Sequence, residues 1–274
     1  MAGKLVVERS VRLNLDEVSG IAIDARAGGP VRLLAVGDAS FAVLTVDIDG
    51  DGATSAEQRH KLRKLLGEPK GDGSQWEAIA CDAEGNILLL RERPGTVHVF
   101  DAALGELRAT IALRPPDGAG KKSGGEGLLL LDGGHLLVVH EENPVLLVEY
   151  GPEGEAPLGV SPASLPSGAL RVTGDVEYVP LQVWPLDDAS IEDLSDIARA
   201  PDGGVYLISD ESRALLRLRL PLAAEDAHAE IEARWDLPDR MANAEGLAFL
   251  ADGRPLVAVD TEEDEANLFV LRWS

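Results

Sequence analysis

The chain has 274 residues, long enough for one sizeable core, and its 48 acidic against 25 basic residues give a formal net charge of −23 and a pI near 4.5. Such a surface repels nucleic acid and anionic membranes, which need basic patches, and leaves metal ions and neutral or cationic small molecules as the fitting partners. No apolar run approaches the ~20 residues of a membrane span, and the lone Cys81 cannot close an intramolecular disulfide. Met1-Ala-Gly-Lys leads straight into strand-like sequence, so a cytoplasmic chain is expected.

Taken in order, Lys4–Leu13 is a strand candidate that precedes a recurring unit. The unit is clearest from Glu245 to Asp260: an acid at a strand start, a short apolar strand, an Asp-Gly turn, a second apolar strand and another acid. Variants start at Ser19, Glu77, Glu126 and Ser195. The second acid falls fifteen positions on in the Glu77, Ser195 and Glu245 copies. His140, beside Glu141, takes that place in the Glu126 copy, and the Ser19 copy is longer, ending at Asp38. A strand-turn-strand unit repeating at intervals near fifty residues is the mark of a β-propeller, whose blades bury their faces only against neighbours.

After the first copy, Ser55–Leu66 reads as the one convincing helix, with Leu62, Leu65 and Leu66 on one face. Residues Gly151–Ser190 break the rhythm with Pro, Gly and Ser and one apolar patch at Val172–Leu186. They read as a long excursion over one face, with a degenerate sixth blade as the alternative. The last copy shows only three strands, Gly246–Leu250, Pro255–Asp260 and Asn267–Trp273, so the N-terminal strand is expected to supply the fourth and close the ring. The fold expected is thus all-β: a single five-bladed propeller over residues 1–274, closed by the N-terminal strand, with one short helix after the first blade.

Innermost strands of a propeller surround a channel, so the residues that open them form a ring: Ser19, Glu77, Glu126, Ser195 and Glu245. Where that residue is Ser, an acid stands two positions earlier, Glu17 and Asp193. Like charges converging in a low-dielectric channel take up protons or bind a cation. Oxygen-only ligands favour a hard cation, calcium first and magnesium second. The alternative is that these acids cap backbone amides or pair with Arg and Lys. A second ring, Asp38, Glu92, His140 with Glu141, Asp210 and Asp260, reads as structural, except that His140 is a candidate general base. Asp47, Asp49 and Asp51 with Gly52 have the D-x-D-x-D-G spacing of a calcium loop, although a strand precedes it and Glu57 stands at loop position eleven. No nucleophile elbow, P-loop or zinc-protease motif occurs, and Lys121, Lys122 and the scattered arginines form no phosphate-binding cluster.

Asp193-Leu-Ser-Asp-Ile197 with Leu207-Ile-Ser-Asp-Glu-Ser212, Gly125-Glu-Gly-Leu128, and Ala244-Glu-Gly-Leu-Ala248 followed by Asn267-Leu-Phe269 resemble the SdiA-regulated family of bacterial propellers. The resemblance covers most of the chain and implies a five-bladed propeller with a calcium site and no established activity. More distantly, the acid-Gly strand starts are similar to those of gluconolactonase and calcium-dependent phosphotriesterase propellers. There the residue before the Gly is a metal ligand, which would carry over to Glu126 and Glu245 and, less closely, to Glu77. Two functions are expected from this reading. One is a calcium-dependent hydrolase of lactones or phosphoesters, with His140 or a carboxylate as base. The other is a non-catalytic propeller that binds a small molecule or partner around a structural calcium.

Overall fold

A computed structural model describes residues 3–24, 31–70, 73–117, 124–141, 144–165, 168–261 and 265–274; Lys121 and Lys122 lie outside them. The fold is nearly all β. Four antiparallel units follow one another: β2–β5 (Val18–Asp24, Arg32–Gly37, Ala42–Ile48, Thr54–Lys61), β6–β9 (Trp76–Cys81, Ile87–Arg91, Thr96–Phe100, Leu107–Leu113), β10–β13 (Gly125–Leu130, Leu136–His140, Leu146–Gly151, Gly174–Pro185) and β14–β17 (Asp196–Arg199, Val205–Ser209, Ala214–Leu218, Ile231–Asp236). A fifth is built from β18–β20 (Ala244–Phe249, Pro255–Val259, Leu268–Trp273) and the N-terminal β1 (Gly3–Val11). Outer strands of neighbouring units pair in parallel, β9 with β13 and β17 with β1, which fuses four units into two eight-stranded sheets and leaves β2–β5 as a four-stranded one.

The strands are apolar on both faces because both faces are covered. Leu88 and Val97 of the second unit pack on Leu128 and Val138 of the third, and Leu137 and Leu147 of the third on Ile197 and Leu207 of the fourth. Tyr206 and Ile208 of the fourth meet Leu247 and Val257 of the fifth. Leu256 and Val270 of the fifth meet Leu33 and Leu44 of the first, and Leu34 and Val43 of the first meet Leu89 and Phe100 of the second. Five cores between successive units therefore return to their start. The innermost strands follow the same circle, β2 on β6, β6 on β10, β10 on β14, β14 on β18 and β18 on β2.

The circle is joined where β1 runs antiparallel to β20, from Leu5 opposite Trp273 to Val11 opposite Leu268. A fully buried amide pins the chain just past that join. Leu13 N–H donates to Asn267 Oδ1 at 2.7 Å, and Asn267 Nδ2 donates to the Leu15 carbonyl at 2.8 Å. The Asn267 backbone N–H donates to the Val11 carbonyl at 3.0 Å.

Of the irregular segments, the expected helix needs correction and the alternative of a sixth blade falls away. Thr54–Lys61 is not helical but the outer strand β5, and the helix is a single turn, Arg63–Leu66. From Ser55 to Arg59 every residue of β5 is exposed, so its polar sequence carries no period that separates an edge strand from a solvated helix. The apolar patch near 172–186 is one strand, β13, pairing with β12 as the fourth strand of the third unit, and it forms no sixth unit. The strap before it, residues 152–173, crosses to other units. Val160 bridges Leu222 of the fourth, and Leu170 N–H donates to Asp82 Oδ2 of the second at 2.9 Å. Its start is anchored by buried His135, whose Nδ1 lies 2.6 Å from Glu149 Oε1 and whose Nε2 lies 2.8 Å from Glu155 Oε2. Among the described residues no helix is long and apolar enough to cross a membrane.

Replacing Asn267 by Ala strands the Leu13 N–H and Leu15 carbonyl in the interior, at ~1–3 kcal/mol each. The expected loss is about 3 kcal/mol, a fall in Tm of roughly 6–12 °C for a domain of this size. Scanning calorimetry of Asn267→Ala checks this; a fall of less than about 2 °C would remove the join from the account of stability.

Candidate functional site

The site is built by one local irregularity repeated around the circle. In four inner strands the pairing register slips by one residue, between Val18 and Gly20, Trp76 and Ala78, Gly125 and Gly127, and Ala244 and Gly246. The residues skipped are Ser19, Glu77, Glu126 and Glu245. A bulge leaves its extra residue unpaired and re-aims the side chain, and all four line one cavity of about 270 Å³. In three units the residue two positions before the bulge has left-handed backbone: Glu17 at φ 50°, Gln75 at 55° and Asn243 at 57°. Non-glycine residues rarely adopt that conformation.

The residue after the bulge is small because the next inner strand comes close. A Cβ on Gly20 would stand 2.8 Å from the Glu77 carbonyl oxygen, and one on Gly127 would stand 2.8 Å from Ile197 N. The fourth unit solves the same contact differently. Asp196 occupies the position of Gly20 and Gly127; it is buried, its Oδ2 accepts the Leu247 N–H of the next strand at 2.7 Å, and its Oδ1 accepts its neighbour's, Ile197 N–H, at 2.7 Å. Repeat reasoning passed over Asp196, although an acid where the other copies carry Gly or Ala was visible in the alignment of copies.

The cavity also takes Glu17 and, from the second ring, Asp38, Glu92, Glu141 and Asp260. Among the described residues its one basic lining side chain is Arg93, which pairs with Glu92. Burial, then the charges of Glu92, Asp38 and Glu141, push the Glu77 carboxyl up to about 8. Burial, then Asp210, Glu77 and Asp260, push Glu245 up to about 8. Burial, then Glu77, Glu141 and Glu92, hold Glu126 well above the usual carboxylate range. Glu77 thus raises both Glu126 and Glu245, and Glu141 raises all three. No hydrogen-bond donor lies within bonding distance of the Glu77, Glu126 or Glu245 carboxylates among the described residues.

Not every expected residue reaches this mouth. Asp193 and Ser195 lie off its lining. Buried Asp193 accepts from the Ser195 hydroxyl at 3.2 Å, from the Ser209 hydroxyl and from Asp210 N–H at 3.2 Å, so it ties strand ends together. Burial and its contact with Asp193 raise the Asp210 carboxyl to about 7. His140 is buried in β11 opposite Gly125, with Nε2 3.1 Å from the Tyr150 hydroxyl, in the core between units two and three. The ring member of that unit is Glu141, which stands fifteen residues after Glu126 as Glu92 does after Glu77. Counting His140 as the equivalent was one residue short, and it offers no base at the mouth. Asp47, Asp49 and Asp51 sit at the β4–β5 hairpin. Asp47 lies opposite Ser55, and Asp49 Oδ1 accepts Asp51 N–H at 2.9 Å and Ala53 N–H at 2.8 Å, as in an Asx turn. Among the described residues no three His, Cys, Asp or Glu side chains are already gathered closely enough to hold one metal ion.

No family model matches the chain, and no curated protein matches it. Among solved structures, that of a streptogramin B lyase aligns with a TM-score of 0.52 at 10% identity, over 98% of this chain and 98% of that one. The hydrazine synthase of Kuenenia stuttgartiensis aligns with a TM-score of 0.50 at 10% identity, over 98% and 99%. The fold is β-propeller-like. At such identities the likeness shows the fold alone, and the chemistry rests on the mouth.

The raised carboxyls fix a pH dependence. Glu77 and Glu245 keep protons in the folded state that the unfolded chain releases near pH 4.5, so they contribute stability below that pH, and it is lost as pH rises through about 8. In chelator, Tm should therefore fall between pH 5.5 and pH 8.5, with up to ~1.4 kcal/mol per pH unit for each such carboxyl. A Tm that rises over this range would contradict the desolvated mouth.

Proposed function

We propose that the chain is a five-bladed β-propeller, akin to the SdiA-regulated group, whose acidic mouth binds a divalent cation, calcium before magnesium. The observation that carries this is the convergence of Glu77, Glu126 and Glu245, each re-aimed by a bulge into one cavity, each desolvated, and none given a donor among the described residues. A carboxylate cluster of this kind is relieved by protons or by a cation. The donor chemistry fits a hard ion that takes ~6–8 oxygens, with Ser19 and Glu17 on the same lining and water to complete the set. Binding would require the glutamates to move together, since no such shell is preformed among the described residues.

A metal-dependent hydrolase of lactones or phosphoesters is the second reading, favoured by carboxyls raised to about 8 on the same mouth. Such a group exchanges a proton near neutral pH and can serve as acid or base without His140. A bound cation would supply polarisation of the substrate oxygen. Streptogramin B lyase shows that a fold of this kind can carry an enzyme, and fold alone does not choose the reaction.

Thermal melts separate these from a purely structural role. Calcium at ~100 times its Kd stabilises by about 2.7 kcal/mol, a rise of roughly 5–10 °C. Glu126→Gln should melt at or above wild type in chelator and lose most of the calcium-induced rise. Asp47→Asn with Asp49→Asn should keep that rise. If Glu126→Gln is equally destabilised in both buffers, the mouth is structural and the cation site falls.

A further inference from the structure

The circle has an odd number of units, and its outer strands pair in twos. β9 takes β13 and β17 takes β1, which leaves β5 of the first unit with β4 as its only ladder partner among the described residues. The register shows which groups lie on the open side. Leu62 N–H donates to the Phe41 carbonyl at 2.9 Å, one step beyond the Ala42–Lys61 pair. Antiparallel partners alternate, so His60 and Gln58 also turn their amides toward β4, while Lys61, Arg59 and Glu57 turn theirs outward. Glu57 and Arg59 are exposed and share one face of the strand. Arg59 donates to the Ser40 hydroxyl at 3.0 Å, and neither residue has an ion-pair partner among the described residues. Charge along the strand is ordered. Asp47, Asp49 and Asp51 stand before it, Glu57 lies within it, and Arg59, Lys61, Arg63 and Lys64 stand at its far end.

We propose that β5 is an interface between two copies of this chain, pairing antiparallel with β5 of the second copy about a two-fold axis at Gln58. Antiparallel self-pairing lays the acidic end of each strand beside the basic end of the other, as the order of charges asks. Charge also fixes the register. Outward amides meet outward amides only in registers centred on a residue, and centring on Glu57 or Arg59 sets that residue against its own copy. Centring on Gln58 places Glu57 opposite Arg59 on both sides of the axis, and opposite charges directly across are favourable. The edge is otherwise guarded. Its charges, and a bulge marked by the slip between Thr45 and Asp47 and by Ala56 at φ 53°, resist indiscriminate pairing. The order of charges then selects the strand that matches, its own copy. The net charge of −23 opposes association at long range, but at ~0.15 M salt the screening length is about 8 Å, so charges at the contact decide. Joining two four-stranded sheets makes an eight-stranded one, the size that the other units already form in pairs. The proposal is independent of the cation at the mouth.

Sedimentation velocity on the whole chain tests this, at protein concentrations up to ~100 µM because a small interface associates weakly. The wild type should form a reversible dimer. Glu57→Arg and Arg59→Glu each turn both cross-strand pairs into like charges, and each should weaken the dimer about tenfold or more. Both positions are exposed, so the melting temperature of either variant should stay close to that of the wild type. Mixed in equal amounts, the two variants should recover a dimer, because each supplies the charge that the other lacks. Glu126→Gln should dimerise as the wild type does, which keeps this result separate from that of the mouth. A wild type that stays monomeric at ~100 µM would overturn the proposal and leave the edge to another partner or to water. A dimer that survives either single reversal, or a mixture of the two variants that stays monomeric, would overturn it as well.

Discussion

A four-stranded sheet that is apolar on both faces cannot stand alone, and burial of each face against the next unit is the interaction on which everything else here depends. With five such four-stranded units the requirement is met only when the last face meets the first. That makes the β1–β20 pairing and the buried Asn267 amide more than local detail, because they hold the first and last strands of the chain in one unit. Closing the circle also presses the inner strands together, to the point where Gly20 and Gly127 have no room for a Cβ. A tight inner ring brings equivalent residues of different units to one place, whatever their chemistry.

The chemistry chosen there opposes stability. Glu77, Glu126 and Glu245 are directed by bulges into a shared cavity where each is partly stripped of water and repelled by neighbouring carboxylates, Glu141 among them in every case. Left-handed backbone at Glu17, Gln75 and Asn243 adds conformational cost at the same end. Further along the same strands the channel lining includes Ile23, Leu130, Phe249 and Arg199, and the strap that His135, Glu149 and Asp82 hold adds Leu165 to it. A cluster of carboxylates with so little basic lining is what singles out the upper end, since packing alone does not call for it.

What the sequence made legible were the features that repetition enforces. The starts of the inner strands, most of the acids fifteen residues on and the missing outer strand of the last unit could be read from the copies, because every unit must solve the same burial problem. Features solved once per molecule were hidden. β5 is polar on both sides and passes for helix, β13 is separated from β12 by the strap, and Asp196 replaces a glycine with a hydrogen bond to Leu247 that only the circle reveals. His140 was misplaced by one residue, enough in a pleated strand to move a side chain from the mouth to the core. Asp49 shows the converse, a ligand-like position whose Oδ1 is taken up by two amides of its own turn.

The central claim is that the mouth glutamates hold protons near neutral pH and exchange them for a cation. Calorimetric titration of calcium at pH 7 in buffers of different ionisation enthalpy measures that exchange directly. The account predicts one calcium per chain with net release of about one to two protons. Calcium that binds without releasing protons, or fails to bind the native chain at all, would contradict it.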